Sequence, residues 1–374
     1  ITLNLPAGSA GSIVSVADYA GTWQTNKVTV SPNGSEKIGG RASNATLNTE
    51  GQSVTFVYVD GTQGWVNTMD STSNVRGIPP YITATVTGSC NTLSTAPDCG
   101  DMKIATFLGP GTFCVSSGGA ACAPCSGTGS NLVDYMVIAG GGAGQSSDGP
   151  GAGAGGYRES PGTASGCYTA SPLGAAPAVS LPVSIQGYPI TVGAGGAASA
   201  SAGSISTFSI IDSAGGGAGN PSSPPTGTGG SGSGGYAISG AGGAGNTPPT
   251  NPAQGQNGGV GGSGSPTYSP GGGGGAGGVG ANAPPTAGGA GGVGVATTIS
   301  GSSVNYAGGG GGGGGASRGG SGGPASPCGT GGASPGGSGT ANRGGGGGGG
   351  QNTGPTCAGL GGSGIIIIRY KFQN

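Results

Sequence analysis

Of 374 residues, 99 are glycine and 27 proline, while only 10 are basic and 11 acidic, for a net charge of −1 and no histidine. Nucleic-acid binding needs a dense basic stripe to displace counterions, and this balance excludes it. The lack of histidine excludes Ser/His/Asp and Cys/His relays and histidine metal sites, and no apolar run approaches the ~18–20 residues of a membrane-spanning helix.

The first segment, 1–77, reads as a small antiparallel β module. Strand-like stretches with period-two alternation recur at 13–16, 27–30, 54–59 and 64–66, with turn signals at Pro32-Asn33-Gly34 and Asp60-Gly61 between them. Trp23 and Trp65, the only tryptophans, both fall here. They are expected to anchor its core, with glycan stacking as the competing role. Glu36, Glu50, Asp60 and Asp70 are expected in turns or on the surface, not as the close carboxylate pair of a glycosidase. The expectation is a non-enzyme with no catalytic residue, no metal and no cofactor.

A second β region, 78–135, follows Gly77-Ile78-Pro79-Pro80. Its strand candidates are 81–87, 104–108, 112–116 and 132–139, the last running directly into glycine. From 136 to 374 glycine dominates, with strand-capable islands at 179–185, 189–192, 205–211 and 293–306. Between Ser160 and Ile368 the only charged side chains are Asp212, Arg318 and Arg343. The closing stretch 365–372 opens with four isoleucines. Such a stretch predicts a central strand buried on both faces, and 135–138 is its natural partner.

The glycine runs, including 308–315 and 344–350, break any Gly-X-Y period, which excludes collagen. Disordered chains are typically charge-rich, so the near-absence of charge points to a dry, backbone-bonded solid. A polyproline-II-like helix has three residues per turn and points every N–H and C=O outward. Glycine lets such rods approach closely enough to bond one another, because no Cβ intervenes. Ordering costs ~1–2 kcal/mol per residue in backbone entropy, and each satisfied hydrogen bond returns a net ~0.5–1.5 kcal/mol. Nearly every donor must therefore be paired. Proline clusters at 221–226, 247–252, 266–270 and 283–286 supply turns at the rod ends. The predicted fold is all-β: small N-terminal β modules, then a bundle of polyglycine-II-like rods framed by strands, with essentially no helix. Gly311→Val is expected to damage folding more than binding.

Eight cysteines, Cys90, Cys99, Cys114, Cys122, Cys125, Cys167, Cys328 and Cys357, suit an extracellular or virion-surface chain with disulfides. Cys90 with Cys99, and Cys328 with Cys357, are candidate loop closures. Cys122-Ala-Pro-Cys125 has CxxC spacing but lacks the further ligands zinc would need.

The stretches VDYMVIAGGGAG, GAGGYRES, YPITVGAGG, SGSSVNYAGGGGGGGG, GTANRGGGGGGG and GGSGIIIIRYKF occur in this order along 102–374. Together they resemble the glycine-rich receptor-binding region of tailed-bacteriophage tail-fibre and adhesin proteins. The N-terminal GSIVSVADYAGTW and SVTFVYVDGTQGW resemble a small β module of phage structural proteins. The resemblance implies a virion-surface, extracellular fibre or fibre tip, homotrimeric, working with other tail proteins on a host glycan or outer-membrane protein. It implies no nucleic-acid partner and no membrane insertion. Turns at the rod ends would form the receptor surface. Tyr157, Arg158, Tyr268, Arg318 and Arg343 are its candidate residues, because aromatics stack on sugars and arginine forks hold carboxylates or phosphates. The competing reading is a purely structural fibre or coat.

Overall fold

The computed structural model describes residues 1–70, 81–118, 131–166, 168–219, 227–262, 268–314, 336–351 and 358–373. Two compact units result, Ile1–Ile78 and Pro79–Asn374.

In the first unit, β1 (Thr2–Asn4), β3 (Val28–Ser31) and β4 (Ala45–Leu47) form one sheet. A second sheet holds β2 (Ile13–Ala17), β5 (Ser53–Asp60) and β6 (Gly64–Asp70). All pairs are antiparallel except β1 with β3. Trp23 and Trp65 are buried with Leu5, Val30, Val54 and Phe56. The Trp65 indole N–H donates to Glu36 at 3.0 Å, and its ring meets Tyr58 edge-on. Burial of both tryptophans removes the glycan-stacking alternative, since neither ring face is open to a ligand. Glu36, expected as a plain surface acid, also accepts from the Gly8 N–H at 2.8 Å and so ties the N-terminal turn to the core.

The second unit carries β7 (Ile82–Thr87), β8 (Thr92–Ala96), β9 (Cys99–Phe107), β10 (Gly111–Gly118), β11 (Leu132–Ile138), β12 (Tyr157–Glu159) and β13 (Leu181–Pro182). It continues with β14 (Gln186–Thr191), β15 (Ser206–Phe208), β16 (Ile211–Ser213), β17 (Val295–Thr297), β18 (Val304–Tyr306) and β19 (Ile365–Lys371). The one helical element described is a 3₁₀ turn, Pro172–Gly174. Strands 12-11-19-9-8 form one sheet, strands 16-15-14-10-7 a second, and β17–β18 a hairpin. As the isoleucine run predicts, β19 is central and antiparallel to both β11 and β9, with Tyr135 opposite Ile368. Ile366 and Ile368 face the core between the sheets, with Phe107, Phe113, Tyr135 and Phe208. Ile365 and Ile367 face the other side, with Met136, Ile138, Tyr157 and Tyr306.

Regions 78–135 and 136–374 thus build one unit together, β9 pairing with β19 and β10 with β14. Glycine rods have no side chains to bury, so the apolar faces of β7, β9 and β10 complete the platform. The island 205–211 contributes β15 and β16, and 293–306 contributes the β17–β18 hairpin, each with a turn between its strands.

Eight strands run straight into glycine rods at one end of this platform: β11, β12, β14, β15, β16, β17, β18 and β19. The rods show the expected three-residue period in their bonds. In the rod 149–156, Gly149, Ala152 and Gly155 donate to Gly350, Gly347 and Gly344. Gly151 and Ala154 donate to Gly271 and Gly274, and Gly153 and Gly156 to Gly217 and Ala214. Its carbonyls accept from Gly142, Gly310 and Ser231, so six rods surround it. Chains with three residues per turn and bonds in several directions are the polyproline-II-type geometry, here made solid.

Laid out by these bonds, rods 240–245, 254–262 and 278–283 form an outer row. Beneath it lie 227–235, 270–276 and 287–294, then 214–219, 149–156 and 307–314. Next come 201–204, 139–145 and 343–350, and last 193–196, 358–364 and 336–340. The run at 308–314 is fully buried in the middle row, bonded to rods 289–292, 149–152, 273–276 and 346–349. A Cβ on Gly310 would strike the Gly347 carbonyl, and one on Gly273 the Ala152 carbonyl. Ala154, Ala276 and Ala307 lie where their rods meet the platform's apolar face.

Candidate functional site

The bond directions also sort the rod ends. Rod 139–145 leaves the sheet at Ile138, and rods 214–219 and 343–350 run parallel to it, with Gly216 and Gly219 donating to Gly140 and Ala143. Rods 149–156 and 270–276 run the opposite way, back toward the platform. Residues 145, 149, 219, 235, 262, 270, 283, 314 and 350 therefore lie at the end remote from the sheets. The turns described there are 146–148, 197–200, 236–239, 268–269 and 284–286.

These turns are interlinked. Ser146 N–H donates to Ser199 Oγ at 3.1 Å. Ile238 and Ser239 both donate to the Gly262 carbonyl, Gly262 donates to Ser269 O at 2.6 Å, and Ser269 Oγ donates to Pro285 O at 3.3 Å. Their backbone is unusual. Ser147, Asp148, Ala200, Ile238, Ser239 and Tyr268 all take positive φ, from 40° at Tyr268 to 82° at Ile238. A β-branched residue in that region is strained, and Ile238 is also 63% exposed. Strained backbone clusters at ligand clamps and active sites, which makes this end the candidate site. Pro284, Pro285 and Thr286 are exposed, and the single charged side chain described in these turns, Asp148, is buried.

Of the residues expected from sequence, the structure places Tyr268 at this end, half-buried. Tyr157 is a correction. It lies on β12 at the platform end, 1% exposed, with its hydroxyl donating to Glu159 Oε2 at 2.7 Å. Burial holds its pKa far above the usual tyrosine value. The stretch reads as a turn in sequence, but it is a strand whose alternation sends Tyr157 inward and leaves Arg158 outward, its guanidinium 3.5 Å from the Asp212 carbonyl. Arg343 is likewise at the platform end, over the Tyr306 ring at 5.0 Å, and its backbone carbonyl accepts from Ala307 N–H. Arg318 lies outside the described residues. The proline cluster at 283–286 is a rod-end turn as expected, but the sequence does not single out Ile238, because only the rod directions say which turns share an end.

The platform end holds a buried polar set that composition concealed. Asp134 accepts from Ser160, Ser165 and Ser180 hydroxyls and from Ser165 N–H, at 2.6–2.8 Å. Glu159 accepts from Tyr157, Ser171 N–H and Thr297. Burial nevertheless raises its pKa above the usual value. Arg369, fully buried, pairs with Asp98 at 3.1 Å and lies over the Tyr168 ring. Each group is engaged with the segment after β12 or with the end of β17 and the turn that follows it, so the set pins these to the sheet.

Among the described residues no cluster of His, Cys, Asp or Glu is placed to hold a metal ion. Cys99 is disulfide-bonded, while Cys90 and Cys114 carry free thiols, so the Cys90–Cys99 closure is not formed. The reason is register. Thr92 pairs with Thr106 and Ala96 with Cys99, which puts Cys90 and Cys99 at opposite ends of the β8–β9 hairpin. Cys122, Cys125, Cys167, Cys328 and Cys357 lie outside the described residues.

A family model described as a glycine-rich domain matches residues 116–371. None of the curated proteins matches the chain.

Proposed function

From the premise that the chain belongs to the glycine-rich domain family, we propose that it is a non-enzymatic virion fibre adhesin whose rod-end turns bind a host-surface receptor. The observation that carries this reading is the gathering of non-glycine turns at the end of the bundle remote from the sheets, with Ile238 strained and exposed and Pro284, Pro285 and Thr286 exposed beside it. A backbone-bonded bundle is a stiff support, and loops on a stiff support are where binding residues concentrate. The described turns carry Tyr, Ile, Pro, Ser and Thr with no exposed charge, a chemistry suited to a polysaccharide or to an uncharged loop of an outer-membrane protein. In this reading the chain works outside the cell on the virion surface, as a homotrimer among other tail proteins.

The test is binding of the labelled full chain to a panel of intact bacterial strains, with competition against phage adsorption. Tyr268→Ala and Ile238→Asp are expected to abolish cell binding, whereas Arg343→Ala at the platform end leaves it intact. Equal binding by all three variants, each shown folded, would reject the tip as the receptor surface. Light scattering reads the trimer directly.

A further inference from the structure

Inside the bundle, each of the three N–H directions per turn meets another rod. The outer row cannot do this, because no further rod lies beyond it among the described residues. Two N–H groups of this row are instead taken by asparagine side chains from the adjacent rod. Gly245 N–H donates to Asn257 Oδ1 at 2.9 Å, and Val260 N–H donates to Asn282 Oδ1 at 2.8 Å. The pattern is shingled: Asn257 on rod 254–262 covers rod 240–245, and Asn282 on rod 278–283 covers rod 254–262. The opposite outer row repeats the device, with Leu360 N–H donating to Ser338 Oγ at 3.2 Å. Both asparagines are exposed, so neither is needed to fill the interior.

An uncapped rod face presents unpaired N–H groups beside small side chains, the rod equivalent of an open sheet edge. Open edges recruit further chains, and proteins blunt them with side chains. The outer row is otherwise suited to such recruitment. It is uncharged, with Val260 and Val279 42% and 63% exposed.

We propose that Asn257 and Asn282 seal this face against a rod from a second copy of the chain, ending the rod lattice within one molecule. Sideways growth into a sheet or filament is thereby blocked, whatever the receptor. The seal works because the amide oxygen occupies the place a neighbouring carbonyl would take.

The experiment compares the full chain with Asn257→Ala/Asn282→Ala and Asn257→Asp/Asn282→Asp variants, by light scattering over a hundredfold concentration range. The alanine pair is expected to at least double in mass with rising concentration. The aspartate pair, which keeps an oxygen acceptor, is expected to hold the parent's mass. An alanine pair that keeps the parent's mass throughout overturns the proposal, as does association of the aspartate pair to the same extent. Hydrogen exchange on the unaltered chain is a second reading that needs no variant. Gly245 and Val260 amides are expected to exchange at least tenfold slower than freely exposed amides, at a rate independent of concentration. Unprotected amides there would also overturn it.

Discussion

The β platform and the rod bundle of the second unit are both closed to water and both bonded through the backbone, yet they reach that state by opposite means. In the platform, Ile366, Ile368, Phe107 and Phe208 fill the space between two sheets, and removing atoms leaves a hole. In the bundle, the space between Gly310 and Gly347 is already filled by main chain, and adding an atom forces the rods apart. One region is held by what its side chains contribute, the other by their absence. Strands and rods join end to end in eight places, so the platform orders those eight rods by fixing one end of each.

The sharpest way to break the comparison is to add a side chain to a central rod. Gly310→Val drives carbons into the Gly347 carbonyl, and the backbone it meets cannot swing aside as a side chain would. The loss should exceed the ~3 kcal/mol at the upper end of ordinary overpacking, read as loss of the cooperative thermal transition. A variant melting within a few degrees of the parent would refute the packed-rod account. Next in size, Ile368→Ala opens a cavity between the sheets and should cost ~2–5 kcal/mol by denaturant unfolding.

Two carboxylates separate the units by pH. Burial raises the Asp18 pKa, but N–H donors from Trp23, Gly51 and Thr22 outweigh it and hold the carboxyl below its usual 3.8. A lowered folded pKa gives stability that is present above the unfolded value and lost as pH falls through the folded one. Glu159 has the opposite sign. Burial lifts it above its usual 4.5, so its contribution is full below that value and lost as pH rises through the raised one. Exchange protection of β5 is therefore expected to weaken on acidification below about pH 4, while that of β11 is expected to weaken as pH rises above the ordinary carboxylate range. Glu159→Gln should flatten the β11 profile and leave the β5 profile unchanged. The smallest effect is expected at the bundle's skin, where Val260→Ser on an exposed rod position should change stability by no more than ~0.5 kcal/mol.

Much of this was legible in the residues. Period-two alternation marks β2, β3, β5 and β6, the strand-like stretches after Pro80 mark β7, β9, β10 and β11, and the four isoleucines mark a strand buried on both faces. β1, β4 and β12 carry three residues each, too few for a period to register, and β12, beside a glycine run, reads as a rod-end turn. The site was harder. Tyr157, Tyr268 and Arg343 look alike in sequence, each an aromatic or arginine within three residues of a glycine run. Their fates differ because rod direction, set by bonds to distant glycines, sends one end of each run to the platform and the other to the tip.

By itself the sequence determined the class of solid this protein forms. Uninterrupted glycine with almost no charge leaves backbone hydrogen bonding as the only cohesive force, and backbone without Cβ packs as three-residue-per-turn rods. Only the tertiary structure decided which rods are neighbours, which turns gather at one end, and that Asn257 and Asn282 close an outer face. Glycines are chemically identical, so no local signal distinguishes one rod from another. Eight rods take their places from the strands they continue, and the other seven from backbone bonds to rods already placed.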